Sequence, residues 1–257
     1  MSPSLRARRR FLGALGAGLL APALAGASDA TGGGDRAREL VERADAIRFP
    51  RESFQTDITV TNYSNGEARD ERKFRVLSRG NDNTIVLTIS PVSERGQALL
   101  MRGRDLWVFM PTVSQPVRLS LAQRLTGQVA NGDLARANFA GDYTPSLAGS
   151  ESIDGTDTHV LDLAAADRSV TYAKVRYWVA QDDNRPLKAE FYALSGRLLK
   201  TASYEEFREL AGQVRPTRLV MADALREGEV SILEYDNMAL RDLPERMFTR
   251  EYLRRLN

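Results

Sequence analysis

Residues 54–91 read FQTDITVTNYSNGEARDERKFRVLSRGNDNTIVLTISP. Apolar residues recur there with a period of two, at Ile58 and Val60, at Phe74 and Val76, and at Ile85, Leu87 and Ile89. Polar turns at Asn65-Gly66 and Asn81-Asp82-Asn83 separate the runs. A period of two puts alternate side chains on opposite faces of a strand, and Asn-Gly supplies the positive φ angles of a tight hairpin. The chain is therefore committed to an antiparallel meander. QALLMRGRDLWVFMP (97–111) continues it through a turn at Gly103.

Strand-like runs return later as THVLDLAA, TYAKVRYWVAQ, PLKAEFYAL, RLLKTASYEEF, VRPTRLVMADAL and EVSILEYDNM, with turns at Asp182-Asp183-Asn184, Ser195-Gly196, Gly212 and Gly228. The total is ten or eleven strands with few helices. Strand twist accumulates, so one antiparallel sheet of that width must curl, and a curled sheet has a concave side. The expected fold is mainly β: a single sheet forming an incomplete, open β-barrel, with a few helices over the concave face. No shift in composition marks a second domain. Three segments are expected to be helical. Asp35 is a suitable N-cap for a helix whose stripe is Leu40, Val41, Ala44 and Ile47 and which Pro50 ends. Residues 120–151, which lack alternation, read as one or two short helices and a loop. Phe248, Tyr252 and Leu256 suggest a last short helix.

The first thirty residues, MSPSLRARRRFLGALGAGLLAPALAGASDA, run from a basic start through an apolar stretch to small residues. That is the order of an export signal, with cleavage near Ala25 or Ala27. The apolar stretch is short, Gly/Ala-rich and interrupted by Pro22, which argues against a membrane span. Arg8-Arg9-Arg10-Phe11-Leu12 fits twin-arginine export, although Ala7 replaces the usual hydroxyl residue, and Sec export stays equally open. Residues 28–34 read as a flexible leader and 35–257 as the folded domain. Removing 1–27 takes away four of 36 basic residues and no acidic one, leaving 32 against 34 and a net charge of −2. The basic character belongs to the signal, so nucleic acid is not an expected partner.

The chain has no cysteine. Disulfides, thiol catalysis and the acylated cysteine of a lipoprotein are excluded. His159 is the single histidine and reads as a strand-surface residue beside a turn; zinc and copper sites need more ligands than it can supply. No nucleophile elbow, P-loop or dinucleotide fingerprint is present. Asp133, Asp142, Asp182 and Asp183 are explained as caps and turn residues. The reading is a non-enzyme with no cofactor and no metal.

NGDLARANFAGDYTPSLAG, YALSGRLLKTASY, VRPTRLVMADAL and LRDLPERMFTREYLRRL resemble bacterial outer-membrane lipoprotein-sorting proteins, relatives of the periplasmic lipoprotein carrier LolA. The resemblance spans about Leu40 to Leu256. It implies an open β-barrel closed by helices, with an apolar cavity for acyl chains, located in the periplasm. The implied function is a carrier that ferries a lipoprotein or other lipid between envelope membranes. Its partners would be the acyl chains, an inner-membrane transporter and an outer-membrane acceptor, and the carrier itself a monomer. Two rival readings stand beside it: a non-catalytic adaptor of a resistance-nodulation-division transporter, and a hydrolase in the cleft. In a curled sheet the lipid-binding lining is expected at Ile58, Val60, Phe74, Val76, Leu87, Met101, Trp107, Phe109, Val175, Tyr177, Phe191, Leu219 and Met221, with Leu106, Val108 and Met110 on the other face.

Overall fold

Residues 29–136 and 138–254 are described by the computed structural model. The export signal and its cleavage points lie outside them, as does Leu256. Helix α1 (Asp29–Arg48) leads in. It begins six residues ahead of the expected cap at Asp35, so the segment read as a leader is helical from Asp29. The three glycines each cost a helix about 1 kcal/mol against alanine but do not bar it, and the stretch holds no proline. Ala37, Leu40, Val41 and Ala44 form the buried stripe, continued by Arg48 rather than by the half-buried Ile47.

A first meander follows: β1 (Phe54–Ser64), β2 (Glu67–Arg79), β3 (Asn83–Ser90), β4 (Ala98–Arg102), β5 (Asp105–Phe109) and β6 (Val117–Leu119). Asn65 and Gly66 take φ of 52° and 82°, the left-handed pair that matches the twist of the flanking strands. The chain then crosses the sheet through a small hairpin, β7 (Arg124–Thr126) and β8 (Val129–Ala130), and two short helices, α2 (Asn131–Ala135) and α3 (Phe139–Asp142). A second meander contains β9 (Tyr143–Ile153), β10 (Thr156–Ala165), β11 (Lys174–Ala180), β12 (Pro186–Tyr192), β13 (Leu198–Leu210), β14 (Gln213–Asp223) and β15 (Glu229–Leu240). A 3₁₀ turn at Glu245–Met247 and helix α4 (Arg250–Arg254) end the described chain.

Because β1 pairs with β15, the two meanders fuse into one antiparallel sheet in the order β6-β5-β4-β3-β2-β1-β15-β14-β13-β12-β11-β10-β9. The sheet is not closed into a barrel, and its thirteen strands exceed the ten or eleven expected. The extra strands lie at the edges. β6 has three residues, and β9, expected as helix or loop, is largely exposed beyond Pro145 and so needs no apolar alternation. The main core lies on the concave face: Ile58, Val60, Phe74, Val76, Val86, Met101, Leu161, Leu163, Val175, Tyr177, Phe191, Leu219, Met221 and Leu233 pack under the helices.

A smaller core lies on the convex face. There Ile85, Leu100 and Phe109, with Leu77, Leu87 and Trp107, are roofed by Leu243, Phe248 and Leu253 from the C-terminal segment. This corrects three expected lining residues: Leu87, Trp107 and Phe109 face away from the concave side. β4 pairs with β5 so that Met101 opposes Leu106 and Leu100 opposes Trp107. Opposed residues share a face, so Trp107 cannot accompany Met101. Both faces of this strand pair are buried, and alternation alone does not say which residues face in. Trp107→Ala is therefore expected to cost about 2 kcal/mol in chemical denaturation, less than a fully enclosed tryptophan, and to leave acyl-chain binding unchanged.

Candidate functional site: the concave face and its cover

Ten of the thirteen expected lining residues do reach the concave face: Ile58, Val60, Phe74, Val76, Met101, Val175, Tyr177, Phe191, Leu219 and Met221. Cross-strand register brings them together, with Ile58 opposite Phe74, Val175 opposite Phe191 and Ala202 opposite Met221. The surface they make is apolar across most of the sheet. It is roofed by α1 and by residues 121–142, here termed the cover.

The space between sheet and roof is filled by side chains rather than left as the expected open cavity. Phe139 meets Tyr143 and Tyr177 edge-on at 5.5 and 5.4 Å, and the Arg48 guanidinium lies 4.3 Å from the Phe139 ring centre. The void in the middle is about 20 Å³, room for about one water. Toward the β2–β5 side the packing opens. A cavity of about 170 Å³ lies between Phe74, Val86, Leu99, Val108 and Leu119 on the sheet and Leu125 on the crossing segment, with Thr88, Gln97, Gln123, Arg124 and Asn131 at its margin.

The cover is fastened by charges and hydrogen bonds. Asp133 is the central fastener. It accepts from Lys200 Nζ at 2.9 Å, from the Tyr172 hydroxyl at 2.8 Å and from the Ala130 N–H at 2.8 Å, and Lys200 also donates to the Gln128 carbonyl. Asp133 and Lys200 are both buried pair members. Arg136 grips Asp142, Asp82 (2.9 Å) and the Gly103 carbonyl (3.0 Å). Arg104 donates to the same Asp142 (2.9 Å) and to Asp167. Asn62 holds Thr126 at 2.7 Å, and Ser231 accepts from the Gln128 N–H at 2.8 Å. Gly127 (φ 48°) fits against Asn62 and Ser231 where a Cβ would clash with both side chains. Arg215, 2% exposed, donates to the Ala46 (2.6 Å) and Ile47 (3.0 Å) carbonyls, taking up free carbonyls at the end of α1.

None of these fasteners was read from the sequence, which gave Asp133 and Asp142 only capping and turn roles. The signal was there in part: Lys200 falls on the inward parity of β13 with Ala202 and Tyr204, and Arg48 on the apolar stripe of α1. Asp182 and Asp183 are turn residues as expected, their side chains accepting backbone N–H groups. His159 is half-buried on β10; burial, then the charge of Arg36, lowers its pKa.

Asp45 joins α1 to the cover, accepting from the Ala140 N–H at 2.9 Å and from Arg48 at 3.2 Å. Burial pushes its carboxyl up to about 6, against the opposing pull of Arg48. Between about pH 4 and 6 the folded chain keeps a proton that the unfolded chain has released. Stability from this group is thus fully present below pH 4 and is lost as pH rises through 6. Asp45→Asn is expected to remove this slope, worth up to about 3 kcal/mol, from the difference between the two proteins' denaturation midpoints across that window. Burial likewise raises Tyr177 and Tyr204, and the Tyr177 hydroxyl has no hydrogen-bond partner among the described residues.

A family model described as an uncharacterized protein matches residues 80–255. Comparison with curated proteins gives no match. Among solved structures, a LolA superfamily protein from Nitrosomonas europaea is 59% identical, the match covering 84% of this chain and 98% of that one with a TM-score of 0.81. A DUF1329 family protein from Desulfovibrio piger shares the fold at 21% identity, covering 86% and 99%, TM-score 0.74. A domain from Vibrio parahaemolyticus described as an outer membrane lipoprotein-sorting protein does so at 21%, covering 86% and 99%, TM-score 0.73. A relative this similar over nearly its whole length settles the grouping that the curled sheet and its helical roof suggest: the chain belongs to the LolA superfamily.

Proposed function

We infer that the protein is a non-catalytic periplasmic carrier, which takes the acyl chains of a lipoprotein or other lipid onto its concave face and ferries them between envelope membranes. One observation carries this reading. A wide apolar surface is roofed by a short segment fastened mainly through ion pairs and hydrogen bonds, and a cavity with apolar walls and a polar margin already opens at one side. Each methylene kept from water is worth about 0.8 kcal/mol, so a chain of about fifteen methylenes brings roughly 12 kcal/mol to such a surface. That gain can replace the contacts the cover makes. The chain starts in the cavity by Phe74, Val86 and Leu99 and displaces the cover as it extends toward Val175 and Phe191.

Asp133 and Asp142 are each occupied by cations, which supports binding over hydrolysis. The central void of about 20 Å³ favours the rival reading, a solid adaptor that binds an envelope transporter through its outer surface. Native mass spectrometry and lipid extraction of protein purified from the periplasm separate the two. Co-purified acyl lipid at close to one molecule per chain is expected; lipid-free protein that retains a transporter would replace the carrier reading with the adaptor.

A further inference from the structure

The turns at the two ends of the sheet differ in character. At one end, three turns each expose a large apolar side chain with an arginine close behind it. Val92 is followed by Arg95 between β3 and β4, Leu194 by Arg197 between β12 and β13, and Leu225 by Arg226 between β14 and β15. Val92 is 74%, Leu194 83% and Leu225 55% exposed. At the other end the β2–β3 turn is Gly80-Asn81-Asp82 and the β11–β12 turn carries Asp182 and Asp183. Neither turn exposes a large apolar residue, and the exposed Val214 and Leu240 of that end lie within strands rather than in turns.

Two of the three apolar turns border one feature, and the third leads into the strand that lines it. Arg124 of the β7–β8 hairpin lies in the wall of the cavity of about 170 Å³, whose Thr88 and Gln97 border the Val92 turn. It also lies in the wall of a second cavity, of about 180 Å³, which Leu225 and Leu199 line. The Val92 and Leu225 turns therefore flank the hairpin that sits over the open side of the concave face, and the Leu194 turn enters β13 beside it at Leu199. Three arginines there are free to meet phosphates. Arg95, Arg124 and Arg197 have no carboxylate partner among the described residues, whereas Glu94 is taken by Arg72 and Asp223 by Arg226, leaving Glu227 and Glu229 as the acids without a cation partner.

We propose that this rim, formed by the Val92, Leu194 and Leu225 turns around the β7–β8 hairpin, docks on an anionic phospholipid bilayer. The apolar tips enter the acyl boundary while the arginines stay at the phosphates, the division that side chains of both kinds make at a membrane surface. Attraction by the arginines falls off within a Debye length, so binding is salt-sensitive. Docking there faces the cavity mouths toward the membrane. The proposal concerns the membrane contact alone and holds whether or not the concave face carries cargo.

Vesicle flotation tests it. The purified protein is expected to float with phosphatidylcholine vesicles containing phosphatidylglycerol, and much less with phosphatidylcholine alone or in high salt. Leu194→Asp with Leu225→Asp should reduce flotation at least about tenfold, and Arg95→Gln with Arg197→Gln should remove the preference for the anionic lipid. Val214→Asp with Leu240→Asp, exposed positions at the opposite end, should float as the unaltered protein does. All these positions are exposed, and unchanged circular dichroism and melting establish that each variant is folded. An unaltered protein that stays unbound overturns the proposal and assigns the rim to a protein partner; equal losses from both pairs of aspartates overturn it too. Lipid extraction of the Leu194→Asp, Leu225→Asp protein reads cargo separately, so failure to dock and failure to carry are distinguished.

Discussion

Asp133→Ala is expected to lower stability by about 3–5 kcal/mol, the loss typical when one member of a buried ion pair is removed. Lys200 would be left buried without its counter-charge, keeping only the Gln128 carbonyl and the aromatic faces of Tyr172 and Phe191 at 4.9 and 5.7 Å. The Ala130 N–H and Tyr172 hydroxyl would lose their acceptor in the same step. The double replacement Asp133→Leu, Lys200→Met should recover most of the loss, because a well-packed apolar pair often equals or exceeds a buried salt bridge. Denaturant titration of the two single and one double variant measures this as a coupling energy. Additive losses would mean that the pair does not fasten the cover.

A second large effect is expected in binding. Leu119→Asp with Leu125→Asp places two carboxylates in the wall of the cavity beside Phe74, Val86 and Leu99. Both leucines are only half-buried, so the folded protein can keep the charges hydrated. An acyl chain in that cavity would strip their water, and a charge without a partner is expensive to dehydrate. Co-purified lipid should fall at least about tenfold, while the melting temperature moves by a few degrees. Full lipid content in this variant would place the cargo elsewhere.

Much of this architecture can be read from the residues, and the gaps have physical causes. Alternation around Ile58, Val60, Phe74 and Val76 reveals the meander, and Asn65-Gly66 its first turn, because both effects act between near neighbours. LWVFM gives no such guidance. It is apolar on both sides, and its orientation depends on Leu243, Phe248 and Leu253, more than 130 residues later, roofing the convex face. The edge strand β9 is hidden because exposed strands need no apolar face. The fasteners are the least legible: Lys200 meets Asp133 across 67 residues and Arg104 meets Asp142 across 38. A lysine at an inward strand position announces a buried partner but does not name it.

The account rests on hydrocarbon lying against the concave face, and photo-crosslinking tests that contact directly. The protein is loaded with a palmitoyl lipid bearing a diazirine on its chain, irradiated, digested and mapped by mass spectrometry. Labels are expected on peptides containing Phe74, Val86 and Leu99, extending to Val175 and Phe191. Labels confined to the convex face around Trp107 and Phe248, or spread over the surface without preference, would contradict it.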